Sequence, residues 1–334
     1  MKKFIVLFMA LVTMCVTTAK AQSSQLATLN HEGTVSTFYG ANALQQAYAA
    51  ANVGDVITLS SGVFNAVDIK KAITLRGAGM FIDTDAHTEP TVLAGDYVID
   101  IADNANGRLI IEGIYGNQTI TIRNLNNAMF LKDRFNKITY SNSEFIWKDL
   151  SFVHCRVTDE FYMCQGSVSF VNCVLKQVTE GNSNKCNFSF NNTIISNYGC
   201  GMTLSEYKNC ILINGTSSRY DIAHSSSVYY NNLFVSSIEK AISGINNSTN
   251  IRIPIDDERV ANLKGTVSDS NDFKLKEEAK SILTGLDGKE VGIYGGNLPY
   301  SPTPTNPQIS KFNVASKTTA DGKLSVDIEV KSAE

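Results

Sequence analysis

Charge of one sign is what this chain has least of: 29 Lys and Arg stand against 32 Asp and Glu over 334 residues, a net charge of −3. No basic field draws in nucleic acid or an anionic membrane, so a charge-driven nucleic-acid function is excluded. Long apolar runs are missing too, and beyond Val16 no window approaches the roughly 18 uninterrupted apolar residues of a membrane span. Zinc is disfavoured, because no Cys-x-x-Cys occurs and His31, His87, His154 and His224 are scattered. Proline is confined to six residues, four of them gathered at Pro299, Pro302, Pro304 and Pro307. What is present, 43% hydrophobic and 18% charged residues, is the balance of a packed chain and excludes disorder, collagen and coiled coil. The length exceeds what one compact core fills, which leaves two domains or an elongated repeat.

Met1-Lys2-Lys3, an apolar run from Phe4 to Val16 and then Ala19-Lys20-Ala21 predict a signal peptide over residues 1–21. The mature chain is then expected to begin at Gln22 and to be exported to the periplasm, the cell surface or the medium. Cys15 lacks the small preceding residue of a lipoprotein box and reads as part of the apolar run. Losing Lys2, Lys3 and Lys20 from 29 leaves 26 basic against 32 acidic residues, a mature charge of −6. Six cysteines remain (Cys155, Cys164, Cys173, Cys186, Cys200 and Cys210), an even count that permits disulfides in an exported chain, and a Cys186–Cys200 bridge stays open.

Self-similarity explains much of the rest. Phe152 to Val157, Phe170 to Leu175, Phe190 to Ile195, Tyr207 to Leu212 and Tyr230 to Val235 align without gaps. Each reads aromatic, any, Asn or His, small or apolar, any, aliphatic. Within one strand inward residues fall at even spacing, yet the aromatic and the small residue are three apart, so one residue must turn the chain. Asn tolerates the left-handed conformation best among non-glycine residues, and stacked Asn side chains can bond from coil to coil. Strand, Asn bend, strand is therefore the unit. Stacked at about 4.8 Å per coil, such units give an all-β, right-handed, single-stranded parallel β-helix. Cys155, Cys173, Thr193, Cys210 and Leu233 would form one inward column of small core residues, with His154 as a hydrogen bonder at an Asn position. Fainter copies at Ile122-Arg123-Asn124-Leu125 and Tyr140-Ser141-Asn142-Ser143 fit, although Asn142 stands too near His154 for both to be bends.

Ala43, Leu44, Ala47, Tyr48 and Ala51 recur at helical spacing and predict a helix capping the first coil. Short β-rich runs follow, Val56-Ile57-Thr58-Leu59, Gly62-Val63-Phe64 and Ala72 to Gly79. This order of helix, Gly54-Asp55, strand, Gly and strand resembles the opening of pectate-lyase-like β-helix proteins. Asp272 to Leu275, Ser281 to Gly285 and Val291 to Gly296 resemble the closing segment of many secreted β-helix proteins, and the whole is similar to exported β-helix proteins of the Bacteroidetes. The division is a signal peptide (1–21), a leader (22–40), the β-helix (41–296), a Pro-rich linker (297–310) and a C-terminal β tail (311–334). In the tail, Leu324 to Val330 alternates strictly, the mark of a half-buried strand that packs on the helix flank or adds to a protein partner.

The resemblance implies an exported protein that meets polysaccharide. Polysaccharide lyases of this fold abstract a proton with a basic side chain while Ca²⁺ or Arg neutralises a uronate carboxylate. Lys132, Arg134, Lys148 and Arg156 are the residues such a mechanism would draw on, within a charged stretch that also holds Asp133, Lys137, Asp159 and Glu160. Read alone, that stretch is a solvated face of paired charges. Asp83, Asp85 and Glu89 are the candidate oxygen ligands for Ca²⁺, the one cofactor considered, with Asp96, Asp100 and Asp103 as a second acidic group. The chain has no R-x-P-x-x-R of pectate lyases, no N-T-D or G-H-G of polygalacturonases and no G-Y-Q-D-T of pectin methylesterases. The expectation is a polysaccharide-binding protein without catalytic motif, with a polysaccharide lyase as the alternative. Tyr39, Tyr97, Tyr115, Trp147, Tyr162, Tyr198, Tyr220 and Tyr229 are candidates for stacking on sugar rings.

Overall fold

The computed structural model describes residues 25–83, 88–101, 107–142, 144–182, 185–197, 202–214, 223–237, 245, 249–263, 271–282, 284–305, 307–315, 317–319 and 321–331. The expected signal peptide and the start at Gln22 lie outside the described residues. Among those residues no helix is long and apolar enough to cross a membrane.

The chain winds into a parallel β-solenoid of about eight turns with two long sheets. The first sheet stacks Val56–Leu59, Thr74–Arg76, Leu109–Glu112, Leu125–Leu131, Trp147–Val153, Gly166–Val171, Cys186–Asn191, Glu206–Lys208 and Val228–Tyr230. The second stacks Gly62–Asn65, Thr91–Ala94, Ile114–Ile122, Arg134–Tyr140, Arg156–Met163, Val174–Glu180, Ile194–Ile195, Ile211–Asn214, Leu233–Ser236 and Ile251–Ile253. Register aligns Ile57, Leu75, Ile111, Phe130, Phe152, Phe170, Phe190, Tyr207 and Tyr229 in one buried column. Its rings stack coil on coil, with centroids 4.4 Å apart at Phe130–Phe152 and 4.7 Å at Tyr207–Tyr229.

The capping helix spans Ala43–Ala50 and buries Ala43, Leu44, Ala47 and Tyr48 against the first coil, as the spacing predicts. The leader contains a hairpin, Leu26–His31 with Thr34–Tyr39, which extends the first sheet antiparallel from Val56–Leu59. Glu32 and Gly33, at φ +48° and +86°, make its two-residue turn.

Left-handed residues mark the bends: Gly113, Lys132, His154, Asn172, Asn192, Asn209 and Asn231. Three alignments change accordingly. Tyr207 pairs with Tyr229, so the fifth copy is shifted by one: Asn231 turns, Asn232 points inward and Leu233 faces out. Neither Asn124 nor Asn142 has a positive φ, so neither is a bend of this kind. The missed copy is Phe130 to Phe135, with Lys132 at φ +55°. Lysine is a poor residue for that conformation; Lys132 is tied there by its ammonium, which donates to the Thr303 carbonyl at 2.6 Å.

From His154 on, the residue after each bend clasps the preceding coil, and Asn250 does the same one coil further. Cys155, Cys173, Thr193, Cys210, Asn232 and Asn250 each donate to the carbonyl of the aromatic residue one coil back: Phe130, Phe152, Phe170, Phe190, Tyr207 and Tyr229. Each side chain from Cys173 on, Cys210 excepted, also accepts a backbone amide, as when Cys210 N donates to Asn232 Oδ1 at 2.9 Å. The column therefore selects small residues that both donate and accept, which is why Cys, Thr and Asn interchange there. Cys155, Cys164, Cys173, Cys186 and Cys210 are all free buried thiols, and Cys200 lies outside the described residues.

Asp133 holds the same place one coil earlier and is fully buried, accepting the amides of Ile114 and Leu131 at 2.8 and 3.1 Å. Burial raises its carboxyl well above the ordinary value. A raised folded pKa means that its contribution is complete below the ordinary carboxylate range and is lost as pH rises through the raised value. Asp133→Asn should therefore gain on wild type as pH rises from 4 to 8, by on the order of 1 kcal/mol. Urea melts at the two pH values check this; a pH-independent difference would contradict it.

A second core covers the outward positions next to the bends. Val174, Ile194, Ile211 and Leu233 pack under Phe273, Leu275, Val291, Ile293 and Tyr300 from the returning chain. That chain retraces the bend ladder towards the first coils. Asn231 Nδ2 donates to Thr284 O, Asn209 Oδ1 accepts from Leu286 N, and Asn172 Nδ2 donates to both Ile293 O and Gly295 O. Further on, His154 Nε2 meets Leu298 O, Lys132 meets Thr303 O and Glu112 accepts from Thr305 N. These Asn side chains reach outward to this strap instead of bonding from coil to coil. Gly295 passes so close that a Cβ there would stand 1.9 Å from Glu290 O and 2.5 Å from Asn192 Nδ2. Beyond it, Gln308–Val314 pairs antiparallel with Val326–Lys331 in a separate hairpin whose Val326, Ile328 and Val330 are about half exposed.

Candidate functional site

Of the four basic candidates, Lys132, Arg134 and Arg156 share one flank. Arg134 and Arg156 are register partners in the second sheet. Arg156 is 4% exposed, donates through Nε to Tyr300 OH at 3.0 Å and lies against the rings of Phe81, Phe273 and Tyr300. Arg134 stacks on Tyr115 at 4.1 Å. Lys132 is buried beneath the strap, and burial lowers its pKa. Lys148 stands exposed on the other sheet. The strap thus covers two of the three grouped cations, and the fourth does not join them.

Asp83 and Thr88 close an antiparallel bridge and Glu89 is exposed, while Asp85 lies outside the described residues. Asp96 caps the amide of Thr119, Asp100 accepts from Asn124 Nδ2, and Asp103 lies outside the described residues. Among the described residues no three His, Cys, Asp or Glu side chains gather as metal ligands. Tyr97, Trp147 and Tyr229 are core residues, Tyr39 is exposed, and Tyr115 and Tyr162 are half-buried; Tyr198 and Tyr220 lie outside the described residues.

A polar surface that the repeat does not announce lies on the outer face of the second sheet. Strand register shifts at the same level across four successive coils: Asn117-Gln118 and Thr158-Asp159 put two residues in the first and third strands where the second and fourth have one, Asn136 and Lys176. Such bulges re-aim side chains and concentrate near functional sites. Here they set out Asn136, Lys137, Thr158, Asp159, Glu160, Lys176 and Gln177 in adjacent rows. Lys137 Nζ lies 2.9 Å from Glu160 Oε2, and Glu160 Oε1 accepts from Thr179 Oγ1 at 2.7 Å. Lys176 pairs with Asp159 at 2.9 Å, and Asn197 Nδ2 donates to Gln177 Oε1 at 3.2 Å. At the far edge Tyr140 and Tyr162 meet edge to face, with hydroxyls 3.4 Å apart.

The charges on this face are already committed to one another. The hydrogen bond to Glu160 raises the Lys137 pKa. Burial pushes Glu160 up, but the hydrogen bonds from Lys137 and Thr179 outweigh it and hold the carboxyl below its ordinary value. A general base needs a lysine shifted down and a general acid a carboxyl shifted up. Both shifts run the other way, so neither Lys137 nor Glu160 is poised for proton transfer. Comparisons with protein-family models, curated proteins and solved structures find no match to this chain.

Proposed function

We propose that this is an exported polysaccharide-binding protein whose glycan lies on the outer face of the second sheet, over the bulged level of its strands. The observation that carries this reading is the shared level of two bulges, in alternate strands of four coils, which presents a strip of amide, hydroxyl and paired ionic groups beside two tyrosines. An extended polymer of hydroxyl-bearing rings is a natural partner for such a strip, since rings stack on tyrosine and hydroxyls bond to Gln, Asn and Thr. The lyase alternative finds little support, because Lys137 is bound to Glu160 and Arg156 is buried.

Retention on immobilised acidic and neutral polysaccharides tests the proposal, with absorbance of unsaturated uronates followed in parallel. The wild type should be retained on at least one glycan without a rise in absorbance. Gln177→Ala combined with Tyr162→Ala should weaken that retention by roughly tenfold or more, the worth of one hydrogen bond and one stacking contact. Absence of retention across the panel would refute the binding reading, and a rise in absorbance would establish the lyase.

A further inference from the structure

The other sheet carries a groove of about 430 Å³ over its last coils, lined in part by Ser189, Leu204, Glu206, Ser226 and Val228. Ser226 Oγ lies 2.8 Å from Nδ1 of His224, and the backbone amide of Ser226 is directed at the same nitrogen at 3.2 Å. An amide only donates, so Nδ1 carries its lone pair and the ring proton sits on Nε2. The hydroxyl facing that lone pair is therefore the donor, which is how a base holds a nucleophilic serine. The amide of Leu204 donates to the same Oγ at 3.3 Å and would favour the alkoxide. Leu204 adopts φ +51° with its side chain 48% exposed, a strained setting for leucine at the rim of the groove.

From this convergence we infer that Ser226 and His224 form a nucleophile–base dyad that cleaves small carboxylic esters. Ser226 Oγ attacks the ester carbonyl carbon as its proton passes to His224 Nδ1. The alcohol leaves with that proton, and an acyl-serine remains. Water then attacks the acyl carbon, Nδ1 takes its proton and returns it to Ser226 Oγ, and the acid departs, so ester and water become acid and alcohol. Among the described residues no carboxylate bonds to His224 Nε2, so the imidazolium has no third partner and the dyad suits esters better than amides. The exposed side chains of Leu204 and Val228 offer a wall for a short acyl group. The Glu206 carboxylate is neutralised by Lys208 at 2.7 Å.

The full mature chain, treated with a fluorophosphonate probe and mapped by mass spectrometry, should carry one adduct on Ser226 and should hydrolyse p-nitrophenyl acetate slowly. Ser226→Ala should abolish the adduct and lower hydrolysis at least tenfold. His224→Gln, which keeps an acceptor for the Ser226 amide, should slow labelling as strongly, whereas Ser225→Ala should label like wild type. Ser226→Cys gives an independent reading: its alkylation by iodoacetamide should be faster with His224 present than with Gln there. Folded wild type without an adduct on Ser226, or labelling indifferent to His224→Gln, would overturn the assignment. No polysaccharide enters these assays, so their outcome is separate from that of glycan retention.

Discussion

Phe170→Ala is expected to cost about 3–5 kcal/mol, the upper range for truncating a buried aromatic. The ring is fully buried between Phe152 and Phe190, with centroids 5.2 and 5.3 Å away, and meets the edge of Phe161 at 4.9 Å. Collapse around the deletion would relieve much of the loss in a compact core. Here the coils above and below are held at fixed spacing by the hydrogen bonds of both sheets, so the cavity stays open. Because each coil contacts only its neighbours, the loss also weakens the coupling between the two halves of the solenoid. Urea denaturation should show a lower midpoint and a broadened or divided transition, while Phe170→Leu should lose much less. A cost below about 1 kcal/mol for the alanine variant would contradict the stacked column.

Asn172→Ala is the second large effect, expected at about 2–4 kcal/mol. Asn172 is 2% exposed and links its coil to two strap carbonyls, Ile293 O at 2.7 Å and Gly295 O at 2.9 Å. Its loss strands the Gly295 carbonyl, while Ile293 O keeps the Tyr300 amide, and puts alanine at φ +50°. Asn172→Gly keeps the backbone comfortable but still loses the bonds, so the gap between the two variants isolates the backbone share. Limited proteolysis between Gly296 and Thr305 should accelerate in both. Unchanged stability and unchanged proteolysis would mean that the strap is held independently of the bend ladder.

The solenoid was legible wherever its inward column was aromatic and its bend was Asn or His, from Phe152 to Tyr207. It slipped at Tyr229-Tyr230 and Asn231-Asn232, where paired tyrosines and paired asparagines fit two phases equally well. The earlier coils were hidden because Gly113 and Lys132 turn the chain there, and lysine gives no propensity signal for a left-handed bend. The strap was invisible for another reason. Lys132 meets Thr303 across 171 residues, and no local pattern encodes such a contact. One clue was available, since Val174, Ile194 and Ile211 stand at outward positions where a solvated face would carry polar residues. The charged stretch was legible only in part: Lys137 pairs with Glu160 within it, but Lys132, Asp133 and Arg156, expected on a solvated face, are buried. The bulges beside the ion pairs of the second sheet have no sequence signature, and of the basic residues singled out for chemistry Lys132 and Arg156 lie under the strap, Arg134 stacks on Tyr115 and Lys148 stands on the opposite sheet.

Hydrogen exchange of the protein with and without the glycan that retains it tests the central claim most directly. Saturating glycan should slow exchange in Arg134–Tyr140, Arg156–Met163 and Val174–Glu180 and leave Trp147–Val153 and Gly166–Val171 of the first sheet unchanged. Protection confined to the first sheet or to the C-terminal hairpin would place the glycan elsewhere and contradict the account.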